Sequence, residues 1–306
     1  MLSISIIVPC YNHAQFVRHR IDSILNQTYI NFEIILLDDC STDESWEILK
    51  QFKTHPKVSH CIRNNINSGS PFSQWQKGIE LAKGEIIWIA ESDDLAEENF
   101  LEVLMSGFDN GVVLSFCGSL YIDNKDTPLG VFNQISVFEE KFKSYFEIIA
   151  ESFISHYLSI STVIPNASAV IFRKPPSFPE IIKDMKFAGD WYFWIYLLSQ
   201  GGVIKYYNEP LNKFRFHEQT TRAFKSFDKE SQRLREALQC INFARKIDGK
   251  REIGFKDRKV YNHLVEYVFL MHRIGGRRRL RYFFPKLPFY FYPKYYSLLI
   301  TKLLFT

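Results

Sequence analysis

Short apolar runs and stretches of helical periodicity alternate along the first hundred residues. Ser3–Val8 predicts a strand closed by Pro9. Phe16–Asn26 predicts a helix, because Phe16, Val17, Ile21, Ile24 and Leu25 recur at helical spacing. Phe32–Leu37, Val58–Ile62 and Ile86–Ala90 predict three further strands, with helices over Ser45–Phe52 and Pro71–Leu81 between them. Ile86–Ala90 is apolar throughout, as a strand buried on both faces must be. The order β-α-β-α-β-α-β predicts an α/β fold: a parallel sheet with right-handed crossovers, whose polar loops meet at the carboxyl ends of the strands.

Further on, the pattern predicts a helix over Leu95–Met105, strands at Val112–Cys117 and Ala167–Phe172, and turns at Asp123–Asp126 and Arg173–Pro176. An aromatic-rich helix opens at Gly189-Asp190 and runs to Ser199, and Gly201–Tyr207 returns as a strand. Residues 131–160 are rich in Phe and Ser without a clear period. Lys225–Ala244 and Val260–His272 have helical character.

With 46% hydrophobic and 24% charged residues the chain is globular, and 306 residues suffice for one or two domains. A net charge of +4 is too small to imply nucleic acid by itself. The five cysteines are scattered and lack CxxC spacing, so neither disulfides nor a structural zinc site is expected, and a reducing cytosol fits. Met1–Pro9 lacks a basic leader region and reads as a first strand. No charge-free run approaches the ~20 residues that span a bilayer.

The chemistry lies in acids. Asp38 and Asp39 end the second predicted strand; Glu91, Asp93 and Asp94 follow the fourth. Paired carboxylates at the carboxyl end of a core strand repel one another and call for a counter-charge, most simply a divalent cation held by oxygen. The plainer reading is a solvated turn capping the helix at Leu95. No glycine-rich phosphate cradle is present, which disfavours dinucleotide dehydrogenases and P-loop enzymes. Asp190, at the start of the aromatic helix, reads either as a cap or as a general base. A nucleophilic Cys10 lacks an evident partner and reads as a small buried residue.

Ile7-Val-Pro-Cys-Tyr-Asn12, Leu36-Leu-Asp-Asp-Cys-Ser-Thr-Asp43 and Lys83-Gly-Glu-Ile-Ile-Trp-Ile-Ala-Glu-Ser-Asp-Asp94 resemble successive landmarks of family 2 glycosyltransferases. The resemblance implies the GT-A (Rossmann-like) fold, a mostly parallel central sheet flanked by helices. It also implies an inverting transfer from a nucleotide-diphospho-sugar, UDP-linked, to a hydroxyl of a glycan or lipid-linked acceptor. By the same resemblance Pro9, Tyr11 and Asn12 border the nucleotide, Asp39 hydrogen-bonds the base, and Asp93 approaches the ribose or metal. Asp94 ligates Mn²⁺ or Mg²⁺, and His217, in a Phe-Arg-Phe-His segment, completes the metal's shell. Asp190 becomes the general base, and residues 131–160 face the acceptor. The sequence departs from the family where an Arg-Asn pair is usual: Trp75 and Gln76 stand there, so the positive charge near the diphosphate is expected from Lys77 or elsewhere, or wholly from the metal. Arg215 is expected to pair with the diphosphate or with an acid. A non-catalytic nucleotide-sugar or glycan-binding module is the alternative, against which the retained acids argue.

The expected division is a GT-A domain over 1–222 and a helical, basic and aromatic extension over 223–306. Gly275-Gly-Arg-Arg-Arg-Leu-Arg281 and the Phe/Tyr/Lys-rich tail suit a membrane surface, so contact through 275–306 is expected, placing the protein in the cytoplasm on the inner face of a membrane. No nucleic-acid module accompanies the patch.

Overall fold

The structure, a computed structural model, describes residues 2–131, 140–216 and 226–249. His217, the expected helix Val260–His272 and the basic segment 275–306 lie outside the described residues. The first half follows the predicted alternation: β1 (Ile4–Cys10), α1 (Ala14–Leu25), β2 (Phe32–Asp38), α2 (Ser45–Gln51), β3 (Val58–Arg63), α3 (Pro71–Leu81) and β4 (Ile86–Ile89). β1 pairs in parallel with β2 and β4, and β2 with β3. Every residue of β1 and β4 is buried, because helices cover both faces. Alternate side chains point to opposite sides. Ile7, Ile87 and Ile89 enter one apolar cluster with Trp75 and Trp194, while Ile6, Ile86 and Trp88 enter the other with Val17 and Phe100.

The second half holds β5 (Leu95–Ala96), α4 (Phe100–Met105), β6 (Val112–Ile122), β7 (Pro128–Val131), β8 (Phe146–Ile149), α5 (Ala150–Phe153), β9 (Val170–Arg173), α6 (Gly189–Leu198), β10 (Val203–Arg215) and α7 (Phe227–Ile247). The sheet runs β3-β2-β1-β4-β9-β6-β10-β5, with β7 on β6 and β8 on β10. β9 is antiparallel to β4 and β6, whereas β6 and β10 are parallel. This mixed half forms one wall of the crevice at the ends of β1, β2 and β4.

The helix expected over Leu95–Met105 is shorter. Leu95–Ala96 pairs with β10, and the helix begins at Phe100. The Asp94 carboxylate accepts the Arg215 backbone N–H (2.9 Å), and the Glu97 N–H donates to the Leu211 carbonyl (2.9 Å). Tertiary pairing therefore takes the backbone a first helical turn would use, and Asp93-Asp94 is no helix cap. α6 is apolar around nearly its whole circumference, with Trp191, Phe193 and Trp194 buried, as a helix enclosed by the fold must be. These aromatics are core rather than a platform for a sugar.

Gly84 is required by close approach. A Cβ there would lie 2.6 Å from the Ser5 nitrogen and 2.8 Å from the Ile4 carbonyl carbon. Gly84→Ala must push α3 or β4 away from β1, and a loss of roughly 2 kcal/mol is expected, seen as a lower urea midpoint at unchanged slope.

Candidate active site

The loops after β1, β2 and β4, with the segments before β9, before α6 and at the end of β10, enclose a cavity of about 640 Å³. Pro9, Tyr11, Asn12, Asp39, Asp93, Asp94 and Asp190 all line it. This is the crevice that open α/β sheets present at the carboxyl ends of their strands.

At one end Asp39 is only 4% exposed, and its carboxylate is held from several sides. It accepts hydrogen bonds from Asn64 Nδ2 (2.7 Å), Gln74 Nε2 (2.8 Å) and Ser68 Oγ (2.7 Å), and from the Ser68 backbone N–H (3.0 Å). Asn12 adopts a left-handed backbone (φ 56°), which asparagine tolerates. Its Oδ1 accepts from the Thr42 N–H (2.8 Å), and its own N–H donates to Ser41 Oγ (3.0 Å), so it ties the loop after β1 to the loop after β2. Asp38 is fully buried and serves that second loop, accepting from the Ser41 N–H (3.0 Å) and facing Arg63 Nε (3.3 Å). Lys77 corrects the expectation placed on it: it does not line the cavity. Its ammonium donates to Asn64 Oδ1 (2.6 Å), one residue removed from Asp39.

Glu91, Asp93 and Asp94 gather at the end of β4. Asp94 is 1% exposed; Oδ1 accepts from Arg215 N–H and Oδ2 from Asn166 Nδ2 (2.6 Å). Burial and the neighbouring Asp93 charge push Asp94 above the usual carboxylate range. Burial, then Asp93, push Glu91 up to about 8, although Trp75 Nε1 donates to it at 2.9 Å. Trp75 thus supplies a neutral donor where a cation was sought. Beneath them Arg20 is completely buried with its guanidinium over the Trp88 ring (4.7 Å), and among the described residues none of its three nitrogens has a hydrogen-bond partner. One orphaned cation faces three carboxylates. Among the described residues no three His, Cys, Asp or Glu side chains converge to hold a metal by themselves. Each Asp94 oxygen keeps a second lone pair, so the Asp93 and Asp94 carboxyl groups fit a hard cation completed by phosphate oxygens and water.

These acids have a consequence for stability. A carboxylate whose folded pKa is raised keeps its proton in the native state after the unfolded chain has lost it. Stability from Glu91 is therefore greatest below its ordinary value of 4.5 and falls as pH rises through about 8. Thermal unfolding without metal or nucleotide should show a falling midpoint across that window, and Glu91→Gln should flatten it.

At the other wall α6 begins at Gly189, with Asp190 in its first turn. Asp190 Oδ1 accepts from the Trp191 N–H (2.7 Å), but the N-cap is Ala188, so the carboxylate stands in the first turn rather than at the cap, and it lines the cavity. A Cβ on Gly189 would lie 2.4 Å from the Phe72 ring, so only glycine allows α6 to sit this close to α3. Arg215 is 1% exposed and pairs with an acid rather than facing the cavity: its guanidinium donates to Asp126 Oδ1 (2.5 Å) and to the carbonyls of Asp93 and Asp123 (both 2.6 Å). Cys10 is buried and its thiol is pushed up to about 12 by that burial, which fits the reading of a small buried residue.

Sequence reasoning missed Arg20, Gln74 and Asn166, and did not foresee the bond from Trp75 to Glu91. Arg20 was readable as a cation on the apolar face of α1, in register with Phe16, Val17 and Ile24. Asn166 lies in a sequence that passes for a glycosylation acceptor; here its amide bridges Asp94 to the rest of the wall, its Oδ1 accepting from Asn212 Nδ2 (3.0 Å).

A parallel half-sheet is joined to a mixed half, with acids at the junction. The sequence model described as "Glycosyl transferase family 2" matches residues 5–175, and the chain belongs to that family. It is 31% identical over 190 residues to glycosyltransferase GlyG of Streptococcus pneumoniae, a match covering 60% of this chain and 57% of that protein. It is 28% identical over 235 residues to the UDP-Glc:alpha-D-GlcNAc-diphosphoundecaprenol beta-1,3-glucosyltransferase WfaP of Escherichia coli, covering 76% of this chain and 85% of WfaP. In fold it is similar to S. aureus TarS in complex with UDP-GlcNAc, with TM-score 0.57 and 18% identity over 89% of this chain and 83% of that one. It is also similar to the mannosyltransferase PcManGT of Pyrobaculum calidifontis in complex with GDP-Man and Mn²⁺, with TM-score 0.56 and 15% identity over 99% and 80% of the two chains.

Proposed function

We propose that the protein transfers a sugar from a UDP-sugar to a hydroxyl of a glycan or lipid-linked acceptor, with inversion at the anomeric carbon. The observation that carries this reading is the meeting of Asp39, Asp93, Asp94 and Asp190 in one cavity, from loops far apart in sequence. WfaP's UDP-glucose donor and diphosphoundecaprenol-linked acceptor, and the UDP-GlcNAc bound to TarS, support the donor and acceptor classes.

Asp39, oriented by Ser68, Gln74 and Asn64, accepts a hydrogen bond from the base, and Tyr11 and Pro9 border it. Asp93 and Asp94 would hold a Mn²⁺ or Mg²⁺ ion, whose positive charge would offset the charge growing on the diphosphate. Asp190 accepts the acceptor's hydroxyl proton as that oxygen attacks the anomeric carbon and the bond to the diphosphate breaks. A single base and a single stabiliser of the leaving group suffice for direct displacement. Among the described residues no helix is long and apolar enough to cross a membrane; the basic, aromatic segment 275–306 would hold the enzyme beside a lipid-linked acceptor at the surface. Residues 1–222 form the catalytic unit in this reading, with 223–306 as its extension.

Thermal-shift screening of nucleotides and nucleotide-sugars, with and without Mn²⁺, tests the donor. The expected result is a rise in melting temperature with UDP and UDP-sugars that grows when Mn²⁺ is present. No shift with any sugar nucleotide would overturn the reading.

A further inference from the structure

We propose that Glu236, on α7 and beyond the residues matched by the family model, is a positioning residue for Asp190. The inference rests on the reading of Asp190 as the base. The first N–H groups of a helix lack partners within it. Ala188, at the N-cap of α6, has no side-chain acceptor to offer. Glu236 instead ties down the approach to the helix, reaching the N-cap residue and the two residues before it. Its carboxylate, 4% exposed, accepts from three successive backbone N–H groups: Lys186 (3.0 Å), Phe187 (2.8 Å) and Ala188 (2.9 Å). Gln232 Nε2 steadies it with a fourth bond (3.0 Å).

The segment so held is not an ordinary loop. Lys186 and Phe187 line the cavity, and Asp190 follows two residues after Ala188. Phe72 bounds the backbone at Gly189 from one side, and Glu236 anchors it from the other. Charge-assisted bonds of this kind are about twice as strong as neutral ones, and a negative charge is favoured at a helix N-terminus. α7 also packs on α6 through the stacked rings of Tyr192 and Phe243 (4.5 Å, 7°), neither of which lines the cavity. That pair separates general helix packing from the specific anchor.

Glu236→Gln tests the proposal in the full chain. The amide offers one acceptor oxygen in place of two and turns an NH₂ toward the remaining N–H donors. Amide exchange over 186–190 is expected to quicken about tenfold or more, while exchange over 38–41 and 93–96 stays unchanged. Turnover is read as UDP release from the sugar nucleotide giving the largest thermal shift, with water as acceptor. It is expected to fall roughly ten- to a hundredfold, as small displacements of a reacting group cost that much, with UDP affinity unchanged. Glu236→Asp, which keeps the charge with a shorter reach, should recover part of the turnover. If the glutamine variant does not fold, the aspartate variant carries the same comparison at smaller amplitude. Phe243→Leu should lower the melting temperature without this loss of turnover.

In an Asp190→Asn background Glu236→Gln should lower turnover no further. Unchanged exchange over 186–190, unchanged turnover, or a loss fully additive with Asp190→Asn would each overturn the proposal. Wild-type turnover in Asp190→Asn alone would instead remove the base reading. In that case exchange over 186–190 still shows whether Glu236 holds the segment.

Discussion

Asp190→Asn lowers kcat roughly a thousandfold in the expected outcome, within the range a positioned general base contributes. That is about 4 kcal/mol of transition-state stabilisation. UDP affinity should stay within about twofold, because the substitution removes an interaction made only as the acceptor loses its proton. The amide is isosteric, and its oxygen still accepts from the Trp191 N–H, which the carboxylate holds at 2.7 Å, so α6 should begin where it does now. Asp39 and Asp94 approach the cavity from other loops and are untouched. The check is a kinetic comparison paired with calorimetric titration of UDP. Turnover near wild type excludes Asp190 as the base, whatever the donor proves to be.

Asp94→Asn should be the other severe lesion, lowering kcat/KM by about a hundredfold or more. The loss has two sources that can be separated. The amide bears no charge, so the acid cluster loses part of its hold on a divalent cation, and Mn²⁺ titrated into the UDP-bound protein should bind more weakly. The amide also turns an NH₂ toward Asn166 Nδ2, which now donates to Asp94 at 2.6 Å. Asn166 is not free to turn over, because its oxygen accepts from Asn212 Nδ2. Leaving such donors unpaired in a buried site costs about 1–3 kcal/mol. Relief of repulsion with Asp93 and Glu91 opposes that cost, so activity should fall far more than stability. Wild-type Mn²⁺ affinity and rate in this variant would remove Asp94 from the metal's shell.

Arg20 explains how such a cluster is tolerated. Three carboxylates at the end of β4 would repel one another strongly in a buried site, and a guanidinium held against Trp88 beneath them lowers that repulsion. Its unpartnered nitrogens mean that the balance is electrostatic rather than one of direct hydrogen bonds. The same arrangement leaves Asp93 and Asp94 lining the cavity, where a cation and a diphosphate are read to arrive together.

The strands and helices of the first half, and the acids at their ends, were legible in the chain itself. Apolar runs and 3.6-residue periodicity are local properties, and a parallel sheet covered on both faces leaves a continuous apolar signature. The likeness of three sequence motifs to those of family 2 glycosyltransferases pointed to the family as well. The helix expected at Leu95 failed for a reason no local pattern encodes: Asp94 and Glu97 pair with β10, more than a hundred residues away. The three-dimensional structure alone decided that Lys77 stops at Asn64, that Arg215 turns to Asp126, and that Asn166 reaches Asp94. Likewise, nothing along the chain marks Glu236 as the partner of the segment before Asp190. Side-chain hydrogen bonds between distant segments depend on where the backbone has already been carried, and that placement is a property of the whole packed sheet.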